Sequence, residues 1–279
     1  MRARKKIRRT RIVAIILFFT IMLGVSYYIV DGKIEGHGQA ENFASNEAML
    51  DDNEDVIEEV IEEVMEEEKE IANETKVLNP DGKYIALTFD DGPSSKVTPL
   101  ILQTLEQHDA KATFFVLGNR VEMYPTIATQ IVAEGHEIAN HTFSHPNLKK
   151  VSHTEMIEEL TKTHNLIEIT TGVTPTLFRP PYGVYNQEAL NYLASNNYST
   201  ILWSVDSLDW KSRNPAAIKN EILNNVTNRG IVLMHDIHTA TAEALPELLM
   251  TLKQQGYELV TVSELLTLQT EKVNPYFGN

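Results

Sequence analysis

The 279-residue chain contains no cysteine. That excludes disulfide bridges and thiolate ligands, so any metal must be held by histidine and carboxylate side chains. Between residues 31 and 76 aromatic side chains are also missing except for Phe43, and 17 acidic residues stand against three basic ones. Such a stretch cannot bury enough apolar surface to fold by itself, and it reads as an acidic, largely disordered stalk extended by self-repulsion. Residues 1–30 lack acid altogether and hold seven Lys/Arg. The remainder carries 14 basic against 22 acidic residues, the net charge is −15, and no nucleic-acid partner is expected. No internal repeat, second folded domain or wall-binding repeat is visible.

What is present at the N-terminus is an uncharged run from Ile12 to Val30. As a helix, its 19 residues at ~1.5 Å rise would span ~28 Å, enough to cross a bilayer core. The basic flank of residues 1–11 puts the N-terminus in the cytoplasm and everything after residue 31 outside. With no A-x-A-like cleavage site after Val30, a single-pass anchor in the cell membrane is expected, with secretion after cleavage as the alternative. The expected organisation is a basic cytoplasmic tail at 1–11, a transmembrane signal-anchor helix at 12–30, a stalk at 31–78, a catalytic domain at 79–270 and a C-terminal tail at 271–279.

From Asn79 the pattern alternates between short β-rich and longer helical segments. Strands are expected over 84–89, 112–118, 137–140, 176–181, 200–205, 231–235 and 257–262. Helices are expected over 97–107, 126–134, 154–170, 187–196, 215–226, 241–255 and 263–269. Seven βα repeats imply an α/β fold with a parallel sheet, closed as a barrel or open and doubly wound. TFDDG (88–92), RPPYG (179–183), VDSLDW (205–210) and LMHD (233–236) each fall at the C-terminal end of an expected strand, where βα-barrel sites sit, and this favours the barrel.

Asp90 and Asp91 close the first strand ahead of Gly92-Pro93. Neighbouring strand residues face opposite ways, so both acids can serve one site only if the chain turns there; a capped Asp-Gly turn is the plainer alternative. His141 and His145, four apart in HTFSH, would share one face of a helical turn. Two histidines and one carboxylate leave a position open, as in a catalytic zinc site, although two surface histidines would look the same. Arg179 could hold a carboxylate ionised and oriented, or be an exposed loop arginine. His235, ending an apolar strand, could pair with Asp206 or Asp209 and protonate a leaving group near neutral pH. Trp210 offers a flat face for a sugar ring or a piece of core.

In order and over roughly residues 80–270, TFDDG, HTFSH, RPPYG, DSLDW and LMHD resemble the five motifs of the polysaccharide deacetylases, carbohydrate esterase family four. Within it the chain looks like the membrane-anchored peptidoglycan N-acetylglucosamine deacetylases. The resemblance implies a distorted (β/α)7 barrel in which Asp91, His141 and His145 bind the metal and Asp90 is the general base. It further implies that Arg179 positions Asp90, His235 is the general acid and Asp209 tunes His235. Tyr182 would give its backbone N–H to the oxyanion, and Trp210 and Leu233 would line the acetyl pocket. The implied cofactor is one divalent ion, Zn²⁺ first, with Co²⁺ or another divalent ion compatible. The implied partner is an N-acetylated cell-wall glycan, with N-acetylglucosamine of peptidoglycan ahead of chitin, chitooligosaccharide, exopolysaccharide and acetylxylan. A glycan-binding or tethering protein is the non-enzymatic alternative.

Overall fold

The structure, a computed structural model, describes residues 78–269 and 273–278. The expected anchor Ile12–Val30, the basic tail and nearly all of the stalk lie outside those residues. Among the described residues no helix is long and apolar enough to cross a membrane.

Among the described residues eight strands are interspersed with helices in chain order, except that β5 runs directly into β6. They are β1 (Tyr84–Asp90), β2 (Thr113–Val116), β3 (Glu137–Asn140), β4 (Leu177–Phe178), β5 (Ser199–Thr200), β6 (Val205–Asp206), β7 (Gly230–His235) and β8 (Glu258–Leu259). The helices are α1 (Val97–Gln107), α2 (Gly118–Met123), α3 (Pro125–Ala133), α4 (His153–Thr171), α5 (Gln187–Ser195), α6 (Asp209–Ser212), α7 (Pro215–Asn225), α8 (Thr239–Gln254) and α9 (Val262–Leu266). Every strand pair is parallel, in the order β5-β4-β3-β2-β1-β7-β6, with β8 on the first residues of β1. The result is a parallel α/β half-barrel consistent with the (β/α)7 expectation. Strands β5 and β6 do not pair. Part of that seam is filled by the C-terminal segment, where the Tyr276 N–H donates to Thr200 O (2.9 Å) and its carbonyl accepts from Leu202 N–H (2.7 Å). Gly278 then bridges to Gly230 at the start of β7.

The expected strand 200–205 is in fact two strands, interrupted at 201–204. Its middle turns away because the Ile201 and Leu202 carbonyls accept from the Arg179 guanidinium (3.3 and 3.1 Å) while the Leu202 N–H goes to Tyr276. Helices α2 and α6 were not expected from periodicity, being too short to show a stripe.

Strand alternation decides what points into the barrel. Ile85, Leu87 and Phe89 of β1 pack with Ile101, Leu105, Leu245 and Leu249 of the helices. Tyr84 and Ala86 join an inner cluster with Phe115, Ala139, Leu177, Ile201 and Ile231. By the two-residue period, Thr88 and Asp90 follow Ala86 inward, and Leu233 and His235 follow Ile231. The same step carries Ala139 to His141 and Leu177 to Arg179. Helix α4 illustrates the outer layer: Ser152 and Glu155 form a capping box at its start, Gly172 (φ 73°) ends it, and Met156, Leu160, Thr163 and Ile167 form its buried stripe.

Candidate active site

Asp90 ends β1 facing the barrel interior, and Asp91 follows with φ 74°, a left-handed turn that returns the second carboxylate to the same cleft. Gly92 is required there, since a Cβ would lie 2.0 Å from the Asp236 carboxylate. His141 leaves β3, but residues 141–145 are not the helical turn that the spacing predicts. Thr142 and His145 take φ 72° and 64°, because the Thr142 N–H is accepted by Asn140 Oδ1 (2.9 Å) and the His145 N–H by Thr142 Oγ1 (3.2 Å). Side chains thus replace the carbonyls a helix would use. The convergence survives this correction. Asp91 Oδ1 lies 3.6 Å from His141 Nε2 and 3.4 Å from His145 Nε2, and the three ligand atoms fall within 4.8 Å of one another.

The residues fit a metal ion. Asp91 Oδ1 is buried with no hydrogen-bond partner. His141 Nδ1 is 2.7 Å from the Arg179 carbonyl, so the proton sits on Nδ1 and Nε2 offers its lone pair. Burial holds that imidazole neutral, lowering its pKa to about 3 against the opposing pull of Asp91. One oxygen and two nitrogens of this kind suit a divalent ion of intermediate softness and leave coordination positions open.

Arg179 is 0% exposed, which excludes the loop-arginine reading. Its Nη1 donates to Asp90 Oδ1 and to Thr88 Oγ1, both at 2.7 Å, and its guanidinium lies 4.0 Å over the Phe115 ring. Burial raises the pKa of Asp90, and the Arg179 charge limits the rise. A fixed carboxylate more basic than an exposed one results.

On the next strand, His235 is the register partner of Asp90. Its Nδ1 donates to Asp209 Oδ1 (2.7 Å), and its backbone N–H donates to Asp209 Oδ2 (2.8 Å). Thr241 Oγ1 and the Trp210 N–H also donate to that carboxylate, each at 2.7 Å. Asp206 instead accepts from Leu208 N–H and Trp210 Nε1, which settles the pairing on Asp209. Burial works against a charged His235, but the Asp209 hydrogen bond and charge outweigh it, raising the pKa to about 9. Asp209 stays below the usual carboxylate range: burial opposes this, and the bonds from His235 and Thr241 prevail.

Tyr182 has φ 60° and is 64% exposed, its ring centre 4.5 Å from that of His145. Trp210 is 49% exposed beside the acid, and Leu233 is buried two residues before His235 on the inward face of β7. Asp90, Asp91, His141, His145 and Arg179 are thus linked by direct contacts, with the Asp209–His235 pair on the neighbouring strand; Tyr182 borders His145, Trp210 follows Asp209 and Leu233 precedes His235 on β7. Sequence reasoning missed Thr88, which the two-residue period from Asp90 could have flagged, and Thr241, which carries no local signal. It left His238 unassigned; that ring is buried 5.6 Å from His235 and accepts from Arg213 Nη1.

Residues 78–201 match the family "Polysaccharide deacetylase". The peptidoglycan-N-acetylglucosamine deacetylase PgdA of Listeria monocytogenes is 45% identical over 195 residues, covering 70% of this chain and 41% of that protein. The peptidoglycan-N-acetylmuramic acid deacetylase PdaC of Bacillus subtilis is 40% identical over 197 residues, 71% of this chain and 42% of that one. The solved PdaC structure superposes with a TM-score of 0.66 at 41% identity, covering 68% of this chain and 93% of the solved one. A Bacillus anthracis structure described as a CE4 family pseudoenzyme superposes at 0.64 with 34% identity, over 70% and 68% of the two chains. This chain thus spans about two fifths of the length of the two curated relatives.

Proposed function

This chain belongs to the polysaccharide deacetylase family, and from that premise we propose that it hydrolyses N-acetyl groups of N-acetylglucosamine in peptidoglycan, using a divalent ion, Zn²⁺ first, held by Asp91, His141 and His145. One observation carries the reading. Asp90 and His235 are register partners on adjacent strands, one tied to Arg179 and the other to Asp209, beside the three-ligand cluster.

Asp91, His141 and His145 would hold the divalent ion, which when bound would polarise the acetamide carbonyl and lower the pKa of water towards ~7. Asp90 is the general base that takes the proton of the attacking water, oriented for this by Arg179 and Thr88. The Tyr182 N–H donates to the oxygen that becomes negative, and Trp210 and Leu233 wall the acetyl group. His235 returns a proton to the nitrogen, without which an amine leaves poorly; Asp209 keeps that proton available.

Support for peptidoglycan comes from the relatives' names and from the expected anchor Ile12–Val30, which would hold the domain outside the cell membrane facing the wall. The test is acetate release by the full chain, with and without chelator, on peptidoglycan, chitooligosaccharide and acetylxylan. We expect release from peptidoglycan that chelation abolishes and Zn²⁺ or Co²⁺ restores. Because the Bacillus subtilis relative is named for N-acetylmuramic acid, the product is analysed for which sugar loses its acetyl. No release from any substrate with the ion present sinks the proposal and leaves a binding protein.

A further inference from the structure

Two strained residues shape the loop that carries the metal-site histidines. Left-handed backbone at non-glycine positions costs ~1–3 kcal/mol each and persists only where the surroundings over-determine it. Here four consecutive N–H groups, from Thr142 to His145, are each accepted by a side chain. Asn140, the last residue of β3, and Thr142, in the loop itself, take the first and last. The middle two go to Glu159 of α4: its Oε2 accepts from Phe143 N–H (2.8 Å) and Ser144 N–H (2.7 Å), while its Oε1 accepts the Ser144 hydroxyl (2.6 Å). From the other side, the Gly118 and Asn119 N–H groups at the start of α2 donate to the Thr142 and Phe143 carbonyls (3.0 and 3.1 Å). Lys162, one turn beyond Glu159 on α4, lies 3.4 Å from the centre of the Phe143 ring.

We infer that Glu159 is a positioning residue that sets metal affinity, by locking the 142–145 loop in the form that turns His141 and His145 towards Asp91. The inference rests on the metal-site reading proposed above. Glu159 touches no ligand atom, lies outside every sequence motif and is only partly buried. It is nevertheless the one acceptor of the four N–H groups that is remote in sequence, so it couples the loop to a second element, α4. Without it, binding an ion would have to order the loop as well. Loss of a partner that orients metal ligands typically weakens affinity 10–100-fold.

The experiment is a Zn²⁺ titration of the full chain in competition with a chromophoric chelator, with thermal unfolding of the metal-free protein alongside. Glu159→Ala is expected to raise the Zn²⁺ Kd about 10–100-fold. Glu159→Gln should stay within about threefold of wild type, because its carbonyl oxygen can accept both N–H groups while its amide donates to Ser144 Oγ. Wild-type affinity in Glu159→Ala overturns the inference, as does a Gln variant weakened as far as the Ala variant. If Glu159→Ala fails to unfold cooperatively, Glu159→Asp carries the same test. It keeps the charge but withdraws the oxygens by one methylene, so about tenfold weakening supports the inference and unchanged affinity overturns it. A wild type that binds no divalent ion brings down the metal-site reading and this inference together.

Discussion

Replacing Asp209 by Asn tests the proposed acid half of the site without touching the proposed metal ligands. His235 sits with its pKa at about 9 instead of 6.5, a preference for the imidazolium of ~3 kcal/mol at ~1.4 kcal/mol per pH unit. Burial, the largest influence on this ring, pushes the other way, so the rise exists only because of the Asp209 bond and charge, helped by Asp90 and Asp91. In the Asn variant the Asp209 charge is gone, burial is opposed only by Asp90 and Asp91, and the pKa falls. The protonated fraction at neutral and higher pH drops with it. The assay is kcat/KM for acetate release between pH 5 and 10. We expect the basic limb to move to lower pH, with a fall of about 10²–10⁴ at pH 8. The same shift governs stability. A pKa raised in the folded state stabilises below the unfolded value of ~6.5 and loses that stabilisation as pH rises through about 9. The difference in Tm between wild type and Asp209→Asn should therefore be greatest below pH 6.5 and narrow towards pH 9 and above. An unmoved basic limb in the variant would refute the assignment of His235 as the acid that Asp209 sustains.

Asp90→Asn should lower turnover about 10²–10⁴-fold, and because it leaves the buried Arg179 charge without its partner, urea unfolding should show a loss of about 3–5 kcal/mol. Near-normal turnover removes Asp90 as the base. Thr241→Val deletes one of the donors to Asp209, so we expect about 1–2 kcal/mol of destabilisation by urea unfolding and a basic limb shifted less than in Asp209→Asn. Gly92→Ala drives a Cβ into the Asp236 carboxylate and displaces the turn that carries Asp91. Zn²⁺ titration should show affinity reduced at least about tenfold, and unchanged affinity would mean that the turn tolerates the displacement.

Much of the domain was legible because two periods dominate it. Helix α1 was expected at its observed limits, and α4, α5 and α7 within a residue or so of theirs, since each buries a stripe against the sheet. Strand β1 was legible for a different reason: every residue in it is buried, giving a run up to the acid that is apolar except for Thr88. The strand 200–205 was misread because its interruption is caused by partners remote in sequence, Arg179 and Tyr276. The HTFSH loop was misread as a helical turn for a related reason. Spacing reports only that two side chains are four apart, whereas Asn140 and Glu159 decide which backbone joins them. Arg179 marks the limit most clearly, since its burial depends on the Phe115 ring and the Thr88 hydroxyl, which no local pattern around RPPYG contains.

The pairing of Asp90 with His235, the proposed base and acid, depends on one ladder. Strands β1 and β7 run in register from Ile85↔Gly230 to Asp90↔His235, the longest pairing in the sheet. Thr88 reinforces it by donating its hydroxyl to Val232 O (2.6 Å) while accepting from Arg179, so the side chain that fixes the register also supports the residue that orients Asp90. A slip of one residue would turn His235 outward among the helices and bring Met234 inward, because the faces of a strand alternate. The metal-site half, on the loops after β1 and β3, would survive such a slip; the proton-donating half would not. The two halves are thus held with unequal security. A scaffold of this kind can lose catalysis through β7 while keeping an intact ligand cluster. Measuring metal affinity and turnover separately in each variant shows which half has failed.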